Sequence, residues 1–414
     1  MFMKILLVTR GSQGDVFPYL TIATALVKRG HSVTLNVPRF FEKEVQAYGI
    51  PYTLQAFDDI QNVMKEKTDT TSYLKWIRNV IDSQFQQLIP LLQEHDLLVS
   101  TNSEFAAASV AEYCGKPFIR TAYAPLIPGN KIPPPLFPYP KPNRLFPPKL
   151  IWRLLNLGNN FLSQKTINRN REQLGMKPLK NAGFYATEYA YNFMLYSRFL
   201  GNVDPDWKYK WAIGGYCFND TFAYDEAVLD EILQFIHKDQ RPTIFFTFGS
   251  CSSSEGERLC NALLAACRKL NYKLVVGSGW AHTGEHLTMD DQLFLMKKPI
   301  PHALIFPHCQ AVLHHGGSGT THSVARAGIP QVVIPLMLDQ PYFAYRAHLL
   351  GLGPEPIRVK KVTEAELTHK VKELIENPNY RTAAQQLAQQ MQTEGGAASF
   401  CDFVEQMVIS SNSK

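Results

Sequence analysis

No apolar run in this chain reaches the about 18 residues that a membrane-spanning helix needs. Residues 1–9 read as a buried strand, too short for a secretory core and interrupted by Lys4, with Arg10 directly after them. Paired cysteines are also missing. Cys114, Cys217, Cys251, Cys260, Cys267, Cys309 and Cys401 are scattered with no Cys-x-x-Cys. An odd, scattered set without a leader argues for reduced thiols in a cytosolic compartment and against a disulfide scaffold. Charge of one sign is scarce: 42 Lys and Arg against 36 Asp and Glu leave +6, which does not mark nucleic acid as a general partner. The glycines after the first strand do not space as Gly-x-Gly-x-x-Gly, so a dinucleotide oxidoreductase is poorly supported. His302, His308, His314, His315 and His322 invite a metal, yet no His-x-x-x-His pair or clustered carboxylate completes a ligand set. No metal or other cofactor is expected.

What is present is globular. The 414 residues, 45% hydrophobic, suit two domains that each bury a full core. Residues 4–37 form a β-α-β unit, with Asp15 where a helix N-cap belongs. Further strands are expected at 96–100 and 117–121 around a helix near 104–113. Helical periodicity over 63–92 is carried by Met64, Tyr73, Trp76, Ile77, Val80, Phe85, Leu88 and Leu92, a spacing that marks core more often than a ligand wall.

The chain changes character at Tyr123. Ten of its 27 prolines fall within residues 125–148, so that stretch is irregular and extended. Residues 131–180 carry ten Lys and Arg against one acid, Glu172, with Phe137, Tyr139, Phe146, Trp152 and Phe161 interleaved. This reads as a solvated basic loop or as a lipophilic lid touching an anionic membrane surface. An RNA-binding surface is a remoter reading, because no RNA-binding motif accompanies the charges.

The most informative stretch is residues 311–322. A short apolar strand runs through His314-His315 into Gly316-Gly317-Ser318-Gly319-Thr320-Thr321 and then a helix. At a helix start the backbone N–H groups point outward along the positive end of the dipole, a ready anion site, and the glycines admit a phosphate closely. His315, Ser318, Thr320 and Thr321 add side-chain donors. A tight turn with packed histidines is the plainer account. Against it, a second strand end follows at Gln331-Val332-Val333-Ile334-Pro335, leading to Asp339-Gln340-Pro341, an acid and an amide suited to sugar hydroxyls.

Together, residues 301–309, His314-His315-Gly316-Gly317-Ser318-Gly319-Thr320-Thr321 and Asp339-Gln340-Pro341 resemble the donor signature of the UDP-glycosyltransferase family. The likeness is closest to the branch holding sterol glucosyltransferases and bacterial macrolide and glycopeptide glycosyltransferases. The resemblance implies an α/β GT-B fold: two facing Rossmann-like β/α/β domains with a cleft between them. It implies divisions at 1–215 for the acceptor domain, 216–241 for a linker, 242–393 for the nucleotide-sugar domain and 394–414 for a helix returning to the first domain. It implies an inverting, metal-independent transfer of a hexose from a UDP-sugar to a hydroxyl of a lipophilic acceptor.

The residues carry over as follows. Gly14-Asp15-Val16-Phe17-Pro18 resembles the Gly-His-x-x-Pro element, with Asp15 in the place of the catalytic base. The turn from His315 to Thr320 with Ser250 holds the diphosphate, Asp339 and Gln340 hold the sugar, and Ile300 and Pro301 hold the base. Ser12, Trp76, Phe85, Tyr123 and Phe137 are acceptor-side candidates. Asn168-Arg169-Asn170-Arg171-Glu172-Gln173-Leu174-Gly175 loosely resembles the Asn-x-x-Arg-x-x-Leu-Gly end of the sterol-type acceptor segment. Plant-type members place a Glu where this chain has Ser323, which leaves UDP against TDP open. Also open are a catalytically silent nucleotide-sugar-binding partner, monomer against dimer, and peripheral contact with the inner membrane face by an otherwise cytoplasmic protein.

Overall fold

A computed structural model describes residues 2–57, 70–136, 146–249, 254–279 and 283–411. Seven strands form the first sheet: β1 (Lys4–Val8), β2 (Ser32–Val37), β3 (Tyr52–Leu54), β4 (Leu97–Thr101), β5 (Phe118–Ala122), β6 (Tyr191–Met194) and β7 (Trp211–Ile213). Their order is β3-β2-β1-β4-β5-β6-β7, and every pairing is parallel. The second sheet holds β8 (Thr243–Thr247), β9 (Lys273–Gly277), β10 (Leu293–Met296), β11 (Ala311–His314) and β12 (Gln331–Val333), in the order β10-β9-β8-β11-β12, again all parallel.

The continuous apolar runs follow from this topology. Helices cover both faces of a parallel sheet, so successive strand residues feed two separate cores. In β1, Ile5 and Leu7 join the cluster around Tyr19 and Phe193, while Leu6 and Val8 join the one around Ile77 and Phe85. In β8, Ile244 and Phe246 face one core, and Phe245 the other.

Strand order reverses beside β1 in the first sheet and beside β8 in the second, and at such switch points the loops after neighbouring strands diverge and leave a crevice. Asp15 follows β1, and the glycine-rich turn follows β11, the neighbour of β8. The last helix, Ala397–Ser411, packs on the first domain through Phe400, whose ring meets Phe193 edge-on at 5.0 Å, and through Arg29, which reaches Asp402 at 2.6 Å. The helix Glu226–His237, in the stretch assigned to a linker, packs on the second sheet through Ile232 and Ile236.

The basic segment contains a 26-residue helix, Pro148–Gln173, that the proline-rich lead-in hides. The prolines stop at its first position, where a missing N–H costs nothing. Its far end carries the Asn-x-x-Arg pattern, and that pattern is a clamp. Asn168 accepts from Leu179 N at 2.8 Å and donates to Leu179 O at 3.0 Å, while Arg171, 2% exposed, binds Glu112 and the Ser109 hydroxyl. We expect Asn168→Ala to cost about 1–3 kcal/mol in urea unfolding, because it strands both Leu179 groups. An unchanged midpoint would mean that water takes over both bonds.

Candidate active site

The two sheets meet with their carboxyl ends opposed. Ser318 Oγ donates to the carbonyl of Tyr123, just after β5, at 3.0 Å. Ser197 N–H, beyond β6, donates to His322 Nε2 at 3.0 Å, and the Tyr216 ring, beyond β7, stacks on His322 at 4.8 Å. The start of the helix Ser318–Arg326 is therefore seated against the first domain.

Asp15 lies at the head of the helix Gln13–Lys28, but as its third residue; Ser12 is the N-cap. Ser12 gives both its N–H, at 2.8 Å, and its hydroxyl, at 3.3 Å, to Asp15 Oδ2. No bond to Oδ1 is found among the described residues. The main chain of Asp15 is held as well, its carbonyl accepting from Thr9 Oγ1 at 3.0 Å and from the Tyr123 hydroxyl at 2.8 Å. Gly11, at φ +135°, is pinned beneath it, since a Cβ there would collide with the carboxylate. Burial pushes the Asp15 carboxyl up to about 6 against the pull of the Ser12 bonds, with the Glu104 charge adding to the rise.

Glu104, buried with Arg10 at 3.5 Å and bonded to Gln55 and Gln84, is a charged layer under the site that sequence reading misses. Only its sheet neighbours bring it there.

Across the crevice, Gly316 sits at φ +90° with Val333 Cγ1 and the Gln340 carbonyl where a side chain would go. No side chain caps the helix that follows, and its first bond runs from Thr321 N to Gly317 O, so the N–H groups of Ser318, Gly319 and Thr320 point out of its end. The side chains are more committed than expected. Ser318 is spent on Tyr123, and Thr321 Oγ1 turns back to Gly317 O at 2.9 Å. Thr320 is buried.

The His315 ring lies over Gly317 and Gly249, and burial lowers its pKa to about 4, leaving a neutral imidazole over the turn. His314 is structural: Nε2 meets Gln331 Oε1 at 2.8 Å and Nδ1 accepts from Gly316 N at 3.0 Å. His302 stacks on Phe306. Among the described residues no three His, Cys, Asp or Glu side chains gather into a metal set.

Asp339 caps the helix Gln340–Leu349 without a side-chain bond, and burial, with the nearby Asp15 charge, pushes its carboxyl up to about 7. Gln340 does a job that the sequence does not announce. Its Oε1 accepts from Leu336 N at 2.8 Å and Met337 N at 3.0 Å, which folds the loop in which Leu338 takes φ 55° and Asp339 is presented. Ile300 and Pro301 are buried just ahead of the short helix His302–Ile305.

Of the acceptor-side candidates, Ser12 and Tyr123 sit beside Asp15, whereas Phe85 and Trp76 pack in the core below the sheet with Leu6 and Val8. Burial of both rings explains this: at helical spacing the apolar face turns to the sheet. Phe137 and Ser250 lie outside the described residues. Tyr216, assigned to the linker, stands at the crevice, its hydroxyl 2.8 Å from where a Gly319 side chain would begin. No spacing signal points to it.

Comparison with known proteins agrees with this geometry. Residues 5–123 match the glycosyltransferase family 28 N-terminal domain, and residues 263–407 the erythromycin biosynthesis protein CIII-like C-terminal domain. A sterol 3-beta-glucosyltransferase of Debaryomyces hansenii is 27% identical over 420 residues, covering 94% of this chain and 26% of that protein. One of Arabidopsis thaliana is 25% identical, covering 97% of this chain and 67% of the relative. The chain spans about a quarter to a third of the fungal relatives' length. Among solved structures, the kitacinnamycin glycosyltransferase superposes with a TM-score of 0.74 at 19% identity, covering 98% of both chains. The glycosyltransferase VinC in complex with dTDP gives 0.72 at 16%, covering 100% of both. With a family 28 domain ahead of an erythromycin biosynthesis protein CIII-like domain, on two opposed parallel sheets, the chain belongs to the GT-B glycosyltransferases.

Proposed function

We propose that this chain is an inverting transferase that moves glucose from UDP-glucose to a hydroxyl of a lipophilic small molecule: a sterol, terpenoid, polyketide or phenolic. The observation that carries the reading is Asp15, with one oxygen held by Ser12, facing a crevice whose other wall is the glycine-rich helix start. The relatives named sterol 3-beta-glucosyltransferase support the acceptor class and the sugar.

In this reading Asp15 Oδ1 takes the proton of the acceptor hydroxyl as the acceptor oxygen bonds to the anomeric carbon. The bond from that carbon to the diphosphate breaks on the opposite face, and UDP leaves with the electron pair. A carboxyl near 6 is a better base than an exposed one and is still ionised at neutral pH. The outward N–H groups at Ser318, Gly319 and Thr320 with the His315 imidazole meet the leaving charge, so the reading requires no metal. Asp339 accepts from the sugar hydroxyls, and Ile300 and Pro301 bracket the base.

The test is nucleotide release from UDP-glucose and TDP-glucose in chelator, with and without sterols, phenols and polyketide alcohols, on wild type and Asp15→Asn. Acceptor-dependent release that the substitution abolishes supports the proposal. Donor binding without release from any acceptor favours a silent nucleotide-sugar-binding protein. Preference for the TDP donor moves the chain towards aglycone chemistry, the reading that the dTDP complex of VinC favours. The Asp15 carboxyl also sets a pH dependence. Because the base must be unprotonated, kcat/KM is expected to fall about tenfold per pH unit below about 6 and to level off above it. A profile flat from pH 5 to 8 would remove Asp15 from the role.

A further inference from the structure

The exposed face of the helix Pro148–Gln173 is apolar. Leu150 is 39% exposed, Leu154 54%, Leu157 63% and Phe161 77%. At 3.6 residues per turn these four fall within an arc of about 60°, opposite the buried Trp152, Ser163 and Thr166. Phe146, 53% exposed and just ahead of the helix, extends the line. A stripe of this size on a surface helix is an interaction face.

Charge says what covers it. Arg153 and Lys165, both exposed, border the arc on its two sides, and Lys149 stands beyond Arg153. No Asp or Glu occurs in the helix before Glu172. Towards the far end of the helix a cleft of about 510 Å³ adds Arg78 beside Lys165, while Arg169 there is paired with Asp82 at 2.6 Å and Glu172 closes the lining. A second copy of the chain laid on the same stripe would bring these cations together, like against like. An anionic lipid surface meets both features at once, taking the leucines and Phe161 into its acyl boundary and the cations at its phosphates. We propose that this helix docks the protein, in plane, on an anionic phospholipid membrane.

The docking stands on the helix alone. Its use for the reaction rests on the reading above. Trp152 Nε1–H donates to Ile132 O at 2.8 Å, and Ile132 N donates to Asp204, so the head of the helix is tied to loops beyond β5 and β6. Docking therefore brings the crevice end of the first domain to the layer in which an apolar alcohol resides.

The experiment is flotation of the full chain with vesicles of phosphatidylcholine alone and of an equal mixture with phosphatidylglycerol. Wild type is expected to float with the mixed vesicles and to lose that binding in high salt. Leu157→Asp with Phe161→Asp, and separately Arg153→Gln with Lys165→Gln, are each expected to weaken binding at least about tenfold. Thermal melting and UDP-glucose binding should stay unchanged in both. Those two controls separate failure of docking from failure of the donor site. Wild type that stays with neither vesicle overturns the proposal, as does binding that the aspartates leave intact. So does a wild-type dimer in sedimentation that the aspartates dissociate, since the stripe would then be a protein interface.

Discussion

Asp15→Asn is expected to lower turnover by about 10²- to 10⁴-fold while making the protein more stable in mild alkali. Both effects have one cause. The folded protein holds the Asp15 proton to about 6, whereas an unfolded chain releases it near 3.8. A raised carboxyl means that folding is opposed wherever the unfolded chain is ionised. The penalty is absent below about pH 4, grows as pH rises towards 6 and is constant above. A rise of that size sets an upper bound of about 3 kcal/mol, and about 1–2 kcal/mol is expected at a site open to the crevice. Asn keeps an oxygen for the Ser12 N–H and carries no charge to desolvate. Melting of wild type and variant should therefore coincide at about pH 4 and separate by about pH 8, with the inactive protein the higher. Equal turnover would place the base elsewhere. Equal melting in mild alkali would mean that the carboxylate is well solvated.

Gly317→Ala is expected to raise the Kd for UDP-glucose about 10- to 100-fold with the fold intact. Gly317 has φ −58° and ψ 146°, a conformation any residue adopts, so the backbone tolerates the methyl group. The obstacle is the His315 ring, which a Cβ at Gly317 would strike at Nε2. The imidazole must leave its place over the turn, and the charge-assisted bond to the diphosphate that the proposed function assigns to it goes too. Calorimetric titration measures the loss, and thermal melting shows whether the fold survives. Gly316→Ala makes the contrast: φ is +90° there and Val333 Cγ1 lies 2.6 Å from the new carbon, so that variant loses stability first. Unchanged donor affinity in Gly317→Ala would take the turn out of donor binding.

Local signals make much of this legible. Runs such as Thr243–Thr247 and Ala311–His314 are apolar on both faces because both faces are covered, and such strands announce themselves. The glycine-rich turn reads from sequence because its φ at Gly316 and its approach at Gly317 are demands of the backbone itself. Short strands escape notice, β3, β6 and β10 among them, since three or four residues carry no period. The Pro148–Gln173 helix is hidden by the prolines before it. Side-chain commitments are the least legible part. Ser318 looks like a phosphate donor until Tyr123 arrives from 195 residues away to take its hydroxyl. Gln340 also holds the loop behind it through its amide oxygen, a duty that its place in the sequence does not announce. Such partners are chosen by the fold and leave no mark in the spacing.

The seating of the glycine-rich helix against the first domain bears on timing. The residues that would grip the nucleotide begin the same helix whose Ser318 and His322 bind Tyr123 and Ser197. Parting the domains by more than an ångström or two breaks both bonds and unstacks Tyr216 from His322. Under the proposed function, exit of spent nucleotide is thus geared to separation of the domains. A domain opening of that kind must break all three contacts together, at residues that stand apart from the place proposed for the sugar.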